Sequence, residues 1–251
     1  MFFINMSILL ITGCGKGIGR EMITNWLESD LSDNKVVALY RSHIDNLKEL
    51  EKYKNKILFI KGDASNKNDL EKCLKQSKSI FKNYPNKYLV NAGIRCRSNL
   101  EDIDHETLKT LWGVNYFSLR ELILCLIKIK IINKNISLVY VSSIVSSVGF
   151  KDLDDYGATK AASESLIRST AMKYINSRFN SIAPGFTKTS YAENFKENLP
   201  LLYKWTIQRI AMGRWGESQE ICNSINFLLS SKSSYITGQK LSVDGGWLAN
   251  S

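Results

Sequence analysis

The sequence predicts an α/β fold, a doubly wound parallel sheet of about seven strands with helices on both faces. Three observations carry this. Short apolar runs alternate with longer amphipathic ones along the whole chain, the pattern of buried parallel strands joined by helical crossovers. A glycine-rich turn, Thr12-Gly-Cys-Gly-Lys-Gly-Ile-Gly19, separates the first apolar run from the first amphipathic one. No repeat, low-complexity tract or linker divides the 251 residues, and only Pro85, Pro184 and Pro200 punctuate them. Right-handed crossovers then wind the chain into a single domain spanning residues 1–251.

The elements follow in order. Ile8–Thr12 is the first strand. Its apolar run could imitate a signal core, but no Lys or Arg precedes it and it runs straight into the glycine turn. Met6 could serve as an alternative start, leaving Met1 to Asn5 dispensable. Gly17–Glu28 is the first helix, Lys35–Tyr40 the second strand, Ile44–Tyr53 a helix and Lys56–Lys61 the third strand. In the helix Lys67–Phe81, residues Leu70, Cys73, Leu74, Ile80 and Phe81 roughly follow helical spacing. Tyr88–Val90, the helix His105–Ile131 and the strand Ile136–Val141 come next. The helix Tyr156–Ile175 leads to the strand Arg178–Ile182. Helices Ala192–Ile207 and Ser218–Leu229 and the strand Lys240–Val243 complete the chain.

Composition narrows the function classes. No apolar run reaches the roughly 18 residues that span a bilayer, which argues against a membrane protein. Five cysteines (Cys14, Cys73, Cys96, Cys125, Cys222) are widely spaced, odd in number and without a CxxC pair. That argues against disulfides and against zinc, and fits a reducing cytoplasm. Cys14, near a helix N-terminus, is either a reactive thiol or a tolerated turn residue. The net charge of +10 either attracts an acidic partner or reflects a lysine-rich composition. The lysines form no dense block, so nucleic acid is not implied.

Two groups of residues carry chemistry. In the glycine turn, Gly13 permits a tight turn, while Gly17 and Gly19 let the backbone approach a pyrophosphate and the helix pack on the sheet. The N–H groups at the helix start then face phosphates. An NAD site usually has an acid about 20 residues further on. Here the second strand ends Leu39-Tyr40-Arg41. Arg41, with Lys16 in the turn, favours the 2′-phosphate of NADP(H). The second group is Tyr156 and Lys160, one helical turn apart, with Ser143 thirteen residues before Tyr156. A phenol is a poor acid at neutral pH, and a neighbouring cation favours its ionised form. Ser143 can donate to a carbonyl oxygen as charge develops there. A phenol, an ammonium and a hydroxyl beside a dinucleotide turn suit carbonyl/alcohol redox chemistry. Ser142 rivals Ser143, but the spacing selects Ser143. His43 and His105 read as bystanders, and two histidines give no basis for a metal site.

These motifs together resemble the short-chain dehydrogenase/reductases, in their single-domain branch of about 250 residues with a Rossmann fold. Thr12–Gly19 fits TGxxxGxG, Val90-Asn91-Ala92-Gly93 resembles NNAG, and Ser143, Tyr156 and Lys160 match the Ser–Tyr–Lys triad. Asn115 falls at the fourth catalytic position, and Pro184-Gly185 with Thr189 resembles PGxxxT. The resemblance implies cofactor contacts from Thr12, Gly13, Gly15, Lys16, Gly17, Ile18, Gly19, Arg41, Asp63, Ala64, Asn91, Ala92, Gly93, Tyr156, Lys160, Pro184, Gly185, Thr187 and Thr189. It places Asp63 beside the adenine, gives Lys160 a bond to the nicotinamide ribose, and has Asn115 hold a water that relays protons from Lys160. Two departures stand out. Val90 replaces the first Asn of NNAG, which would loosen the hydrogen bonding around the fourth strand. The segment Ile175–Asn180 is about three residues short, so the catalytic helix must end early or turn sharply.

The nearest likeness within the family is to 3-oxoacyl-[acyl-carrier-protein] reductases, through Gly213–Ile221 and the ending Tyr235–Gly246. It implies a carrier-bound ketone substrate, an acidic acyl carrier protein as partner, and a homotetramer or homodimer. Lys128, Lys130, Lys134 and Lys173 would offer the carrier a docking patch. A small-molecule ketone or sugar derivative is the alternative substrate, and a non-catalytic NADP-binding regulator the remote alternative. Substrate contacts are expected from Ile94–Glu101 and from an apolar segment, Phe186–Ile210, that is either a lid or ordinary helical packing. That segment includes Phe186, Tyr191, Phe195, Leu202, Tyr203 and Trp205.

Overall fold

The computed structural model describes residues 6–29, 33–189 and 195–250. Its strands are β1 (Ser7–Thr12), β2 (Asn34–Tyr40), β3 (Ile57–Lys61), β4 (Lys87–Val90), β5 (Ser137–Val141), β6 (Arg178–Pro184), β7 (Thr187–Lys188), β8 (Gly216–Glu217) and β9 (Lys240–Val243). Seven of them form one sheet in the order β3-β2-β1-β4-β5-β6-β9, and every neighbouring pair is parallel. The two-residue strands β7 and β8 pair with each other. This is the doubly wound α/β sheet that the sequence predicts.

Helices α1 (Gly17–Glu28), α2 (Lys67–Ile80), α3 (His105–Trp112), α4 (Ser118–Lys128), α5 (Asp154–Lys173), α6 (Pro200–Arg209) and α7 (Ser218–Leu229) complete the frame. Successive strand residues face opposite sides, so one run feeds two cores. Ile8, Leu10, Leu39, Tyr88, Leu138 and Phe179 pack with Leu70 of α2, Leu122 of α4 and Ile167 of α5. Leu9, Ile11, Val36, Leu89, Val139 and Ile182 pack with Met22 and Trp26 of α1 and Ile225 of α7. Both faces are apolar, so the strands read as unbroken hydrophobic runs.

Register positions the site. Thr12 pairs with Val90, Val90 with Tyr140, and Val141 with Ile182. The chain therefore leaves β1, β4, β5 and β6 along one edge. Between β1 and β4 the strand order reverses, which opens a crevice at that edge.

The structure amends several elements. The helix expected over Ile44–Tyr53 is a 3₁₀ segment, Leu47–Tyr53, that starts after Asn46 at φ 50°. A left-handed residue cannot continue an α-helix upstream. The helix expected over His105–Ile131 is α3 and α4 joined by one π-helical turn, Gly113–Phe117. It stops at Lys128, and Lys130 is left-handed at φ 57°. This helical stretch, His105–Lys128, has the length and mean hydropathy (1.2) of a membrane span. Its residues Leu111, Leu119, Leu122 and Leu126 are nevertheless fully buried inside the fold, the pattern of a core helix. α5 ends two residues before Ile175, where Ser177 N–H donates to Tyr174 O and the chain turns directly into β6. That turn is how the short Ile175–Asn180 segment is accommodated. Of the helix expected over Ala192–Ile207, the start and Tyr191 lie outside the described residues. Residues 195–198 are helical, Leu199 breaks away at φ −136°, and α6 begins at Pro200. Proline disfavours helix in the residue before it and suits the first helical position after it.

Arg178, at the start of β6, ties the sheet to the end of α7. Its guanidinium donates to the carbonyls of Leu228 and Ser230 at 2.8 Å and to Ser233 Oγ at 2.8 Å. Arg178→Leu strands these acceptors in the interior. It is expected to lower unfolding stability by about 3 kcal/mol, read as a fall in urea midpoint with an unchanged m-value.

Candidate active site

The carboxyl edge of the sheet opens on a cavity of about 860 Å³. One end is built by the glycine turn. A Cβ on Gly13 would stand 2.6 Å from Ala92 Cα, and one on Gly15 2.4 Å from His43 O. A Cβ on Gly19 would stand 2.4 Å from Gly13 O. The turn therefore tolerates no side chains at these positions. Gly13 is also left-handed at φ 68°. The first turn of α1 has neither a side-chain cap nor an acid, so its unpaired N–H groups are left for an anion.

Asn91 Nδ2 donates to Gly13 O at 2.7 Å, and Ala92 N–H donates to Thr12 Oγ1 at 3.2 Å. These two bonds tie β4 to the turn. Val90, the departure from NNAG, is buried in the core beneath them. Gly13, Gly15, Lys16, Gly17 and Ile18 line this end, facing Arg41, Asp63 and Ala64 across the crevice. Asn91, Ala92 and Gly93 also line the cavity, as do Pro184, Gly185, Thr187 and Thr189, Thr189 lying against Gly17 of the turn, where a Cβ would stand 3.4 Å from its Cγ2. Thr12, Gly19 and Asn115 stand behind the lining and brace it.

Lys16 and Arg41 are exposed at the mouth of this end of the cavity. Asp63 accepts from Ser65 N–H at 2.8 Å and Ser65 Oγ at 2.7 Å, which fixes its carboxylate at the end of β3. His43, read as a bystander, lines the cavity here and pairs with Asp45 at 3.1 Å. The side-chain-free turn, the uncapped helix start and the cationic far end together fit a phosphorylated dinucleotide. Cys14 is fully buried, its thiol donates to Leu39 O at 3.3 Å, and burial pushes it up to about 12. The turn-residue reading of Cys14 stands and the reactive-thiol reading does not.

At the middle of the cavity the candidate triad comes together. Ser143, Tyr156 and Lys160 all line it. Ser143 caps a 3₁₀ turn, Ile144–Ser146, its Oγ accepting from Val145 N–H at 3.5 Å. Ser142, the rival, has its hydroxyl committed to Glu164 at 2.5 Å. Tyr156 and Lys160 sit in the first turns of α5, which Gly157 lets lie close to the loop: a Cβ there would come within 3.1 Å of Val145 O. Lys160 Nζ donates to Val141 O at 2.8 Å and lies 4.9 Å from the ring centre of Tyr140 and 5.8 Å from that of Tyr156. Burial pulls its pKa down to about 7, against the opposing charge of Glu164.

Asn115 occupies the π-helical turn. Its Oδ1 accepts from Ile94 N–H at 2.9 Å, and its Nδ2 donates to Ile94 O and Thr159 Oγ1 at 3.0 Å. Its carbonyl accepts from Tyr140 OH at 3.0 Å and is also within 3.0 Å of Ser163 Oγ. Through these bonds Asn115 joins the β4 loop, β5 and α5.

The other end of the cavity is aromatic. Phe150, Leu153, Phe186 and Trp215 line it, with Ile94 and Arg95 at the rim. Phe186 packs 5.1 Å from Trp215 and 4.9 Å from Trp247 between ring centres, and Phe150 stacks on Trp247 at 5.7 Å. Phe195, Leu202, Tyr203 and Ile207 join this cluster, while Leu201 and Trp205 are exposed. Sequence reading missed Phe150, Trp215 and Trp247, because they come from three separate loops with no shared motif.

Comparison with known proteins agrees with this fold. A family model described as Enoyl-(Acyl carrier protein) reductase matches residues 13–248. A tropinone reductase homologue of Arabidopsis thaliana is 30% identical, over 96% of this chain and 92% of that protein. A 3-oxoacyl-[acyl-carrier-protein] reductase of Thermotoga maritima is 29% identical, over 95% and 96%. Two solved structures superpose closely. A gluconate 5-dehydrogenase from Burkholderia cenocepacia, in complex with NADP and tartrate, gives a TM-score of 0.86 at 22% identity over 97% of this chain and 95% of that one. A 4-hydroxyisoleucine dehydrogenase complexed with NADH gives 0.85 at 27% over 98% and 100%.

The buried ammonium predicts a pH dependence of stability. Below about pH 7 both folded and unfolded chains hold Lys160 charged, and the burial cost is felt in full. Between there and the ordinary lysine value the unfolded chain binds the extra proton, so stability rises with pH. Denaturation without added cofactor is expected to show a rise of a few kcal/mol from pH 7 to 10 relative to Lys160→Met.

Proposed function

The chain belongs to the short-chain dehydrogenase/reductase family and is an oxidoreductase, and on that premise we propose that it uses NADPH to reduce a ketone to a secondary alcohol. The observation that carries this reading is the meeting of Ser143, Tyr156 and Lys160 on one wall of a cavity whose far end is the glycine turn. When bound, the cofactor supplies the hydride. The chain supplies everything else. Gly13 to Ile18 and the start of α1 hold the pyrophosphate, and Lys16 and Arg41 take the 2′-phosphate. Lys160 holds the nicotinamide ribose. Ser143 donates to the substrate carbonyl oxygen, and Tyr156 delivers the proton that this oxygen needs as it becomes a hydroxyl. Lys160 stabilises the phenolate left behind. Asn115 keeps α5 in place against the β4 loop.

For the substrate we favour a 3-oxoacyl thioester on a carrier protein. The apolar wall of Phe150, Leu153 and Phe186 suits an acyl chain, and the Thermotoga maritima relative is named for that reaction. Of the lysines considered for carrier docking, Lys128 is already paired with Glu71 at 2.9 Å. A second reading is a compact small-molecule ketone. The ring contacts of Phe150, Phe186, Trp215 and Trp247 favour it, because interlocked rings make this wall rigid and suit a ligand of fixed shape better than a long flexible chain. We also propose that residues 1–251 act as one domain in the cytoplasm, with Phe186–Ile210 as the substrate lid. The family likeness favours a homotetramer or homodimer.

Two measurements test this. Tyr156→Phe is expected to lower turnover of an acetoacetyl thioester, or of the best ketone in a panel, by at least about a thousandfold. NADPH affinity should change little, and near-wild-type turnover by this variant would overturn the catalytic assignment. Replacing Lys16 and Arg41 together by Ala is expected to weaken NADPH about a hundredfold and leave NADH nearly unaffected. An equal loss for both cofactors would show that these cations do not read the phosphate.

A further inference from the structure

Behind the catalytic wall lies a charged cluster to which the proposed chemistry gives no role. Glu164 sits one helical turn beyond Lys160 on α5 and is only 4% exposed. Its Oε1 accepts from Ser142 Oγ at 2.5 Å and from Ser146 Oγ at 2.6 Å, and its Oε2 pairs with Lys240 Nζ of β9 at 3.1 Å. Lys240 also donates to Ser147 Oγ at 2.5 Å. Ser142 and Ser146 bracket Ser143, and Ser146 Oγ lies 2.7 Å from the carbonyl of Ser143 itself. The carboxylate thus grips the catalytic loop on both sides of its hydroxyl, and Lys240 anchors that grip to the edge strand of the sheet.

A buried carboxylate is a poor stabiliser even when paired with a partly exposed cation such as Lys240, and an apolar side chain of similar volume often serves the fold as well. The charge therefore calls for a reason beyond packing, and its surroundings supply one. The groups around Lys160 are Tyr156 and Glu164 on its own helix, Tyr140 and the Val141 carbonyl on β5, and Asn115 and Gly93 opposite. Tyr140 is kept protonated by burial. Glu164 is the carboxylate whose charge acts on Lys160, and Lys240 is the cation that offsets Glu164.

We propose that Glu164 is a positioning residue, holding Ser143 in place through Ser142 and Ser146 while its carboxylate, offset by Lys240, keeps Lys160 charged. The inference rests on the reading that Ser143, Tyr156 and Lys160 do the chemistry and that Lys160 bonds the cofactor ribose. It predicts opposite effects from the two halves of the ion pair. Glu164→Gln removes the negative charge, so Lys160 loses its proton at lower pH. Lys240→Met leaves Glu164 without its offset, so Lys160 keeps its proton to higher pH.

The test is NADPH affinity across pH 5.5–9.5, followed by nicotinamide fluorescence on wild type, Glu164→Gln and Lys240→Met. It is paired with ketone turnover and thermal unfolding of the same proteins. The alkaline loss of affinity is expected to move down by about half a pH unit or more in Glu164→Gln and up in Lys240→Met. At pH 6, NADPH affinity of Glu164→Gln should stay within about twofold of wild type while kcat falls about tenfold or more, as a displaced Ser143 requires. Unmoved limbs, or limbs that move the same way in step with lost thermal stability, would overturn the proposal and leave Glu164 a structural prop. The affinity arm needs no ketone, so it judges Glu164 whatever the substrate is. Wild-type turnover by Tyr156→Phe would instead sink the catalytic reading, and with it the role given to Ser143.

Discussion

Parallel register is the constraint on which everything else rests. The pairing of Thr12 with Val90, Val90 with Tyr140 and Val141 with Ile182 brings four loops to one edge at matched heights. The glycine turn, the Asn91–Gly93 segment, the Ser143 loop and the Pro184–Gly185 segment are those four loops. A slip of one residue on any strand would move its loop by over 3 Å and swap its core faces. The two apolar cores prevent this: Leu9 and Leu10 each have a full set of partners on opposite sides of the sheet.

Given that register, the site is a problem of placing charge in a dry place. Lys160 is 3% exposed and holds its Nζ against a backbone carbonyl and an aromatic ring. An isolated ammonium there would be strongly disfavoured. The neighbouring carboxylate of Glu164 and the carbonyl of Val141 keep the cost within what the fold can bear, and the residual strain appears as an easily lost proton. The glycine-turn end of the cavity works by the opposite means. It exposes Lys16 and Arg41 and leaves backbone N–H groups uncapped, so the positive potential is offered to a ligand and not spent internally.

Much of this was legible in the sequence because it is local. Short apolar runs mark buried strands, and α1, α7 and β9 have the very bounds that pattern predicts. The glycines of the turn and the Tyr156–Lys160 spacing follow from contacts within a few residues. What was not legible depends on distant partners. Glu164 looks like an ordinary helix-surface acid until Lys240 and the Ser142 loop fold over it. Asn115 matches a family position, yet its actual bonds run to Ile94, Thr159 and Tyr140, none of which sequence spacing reveals. The break at Leu199 was foreshadowed by Pro200, a local signal outweighed by the apolar periodicity around it.

The π-helical turn Gly113–Phe117 has a consequence for how this chain can change over evolutionary time. A π-turn is an α-helix carrying one residue too many, and its wider turn absorbs that residue where it stands. Each residue of a regular α-helix turns the chain by about 100°, so the same extra residue without the wide turn would swing α4 off its face. With it, Leu119, Leu122, Ile123 and Leu126 stay in the core while Asn115 is brought to the loop it joins. Loss of one residue from Trp112 to Ser118 would restore a regular helix and sacrifice the Asn115 junction before the packing of α4. Within α4 itself no wide turn is at hand, and a change of length there would rotate its apolar face out of the core. The turn is therefore the one place on this helix where length can change without undoing the fold.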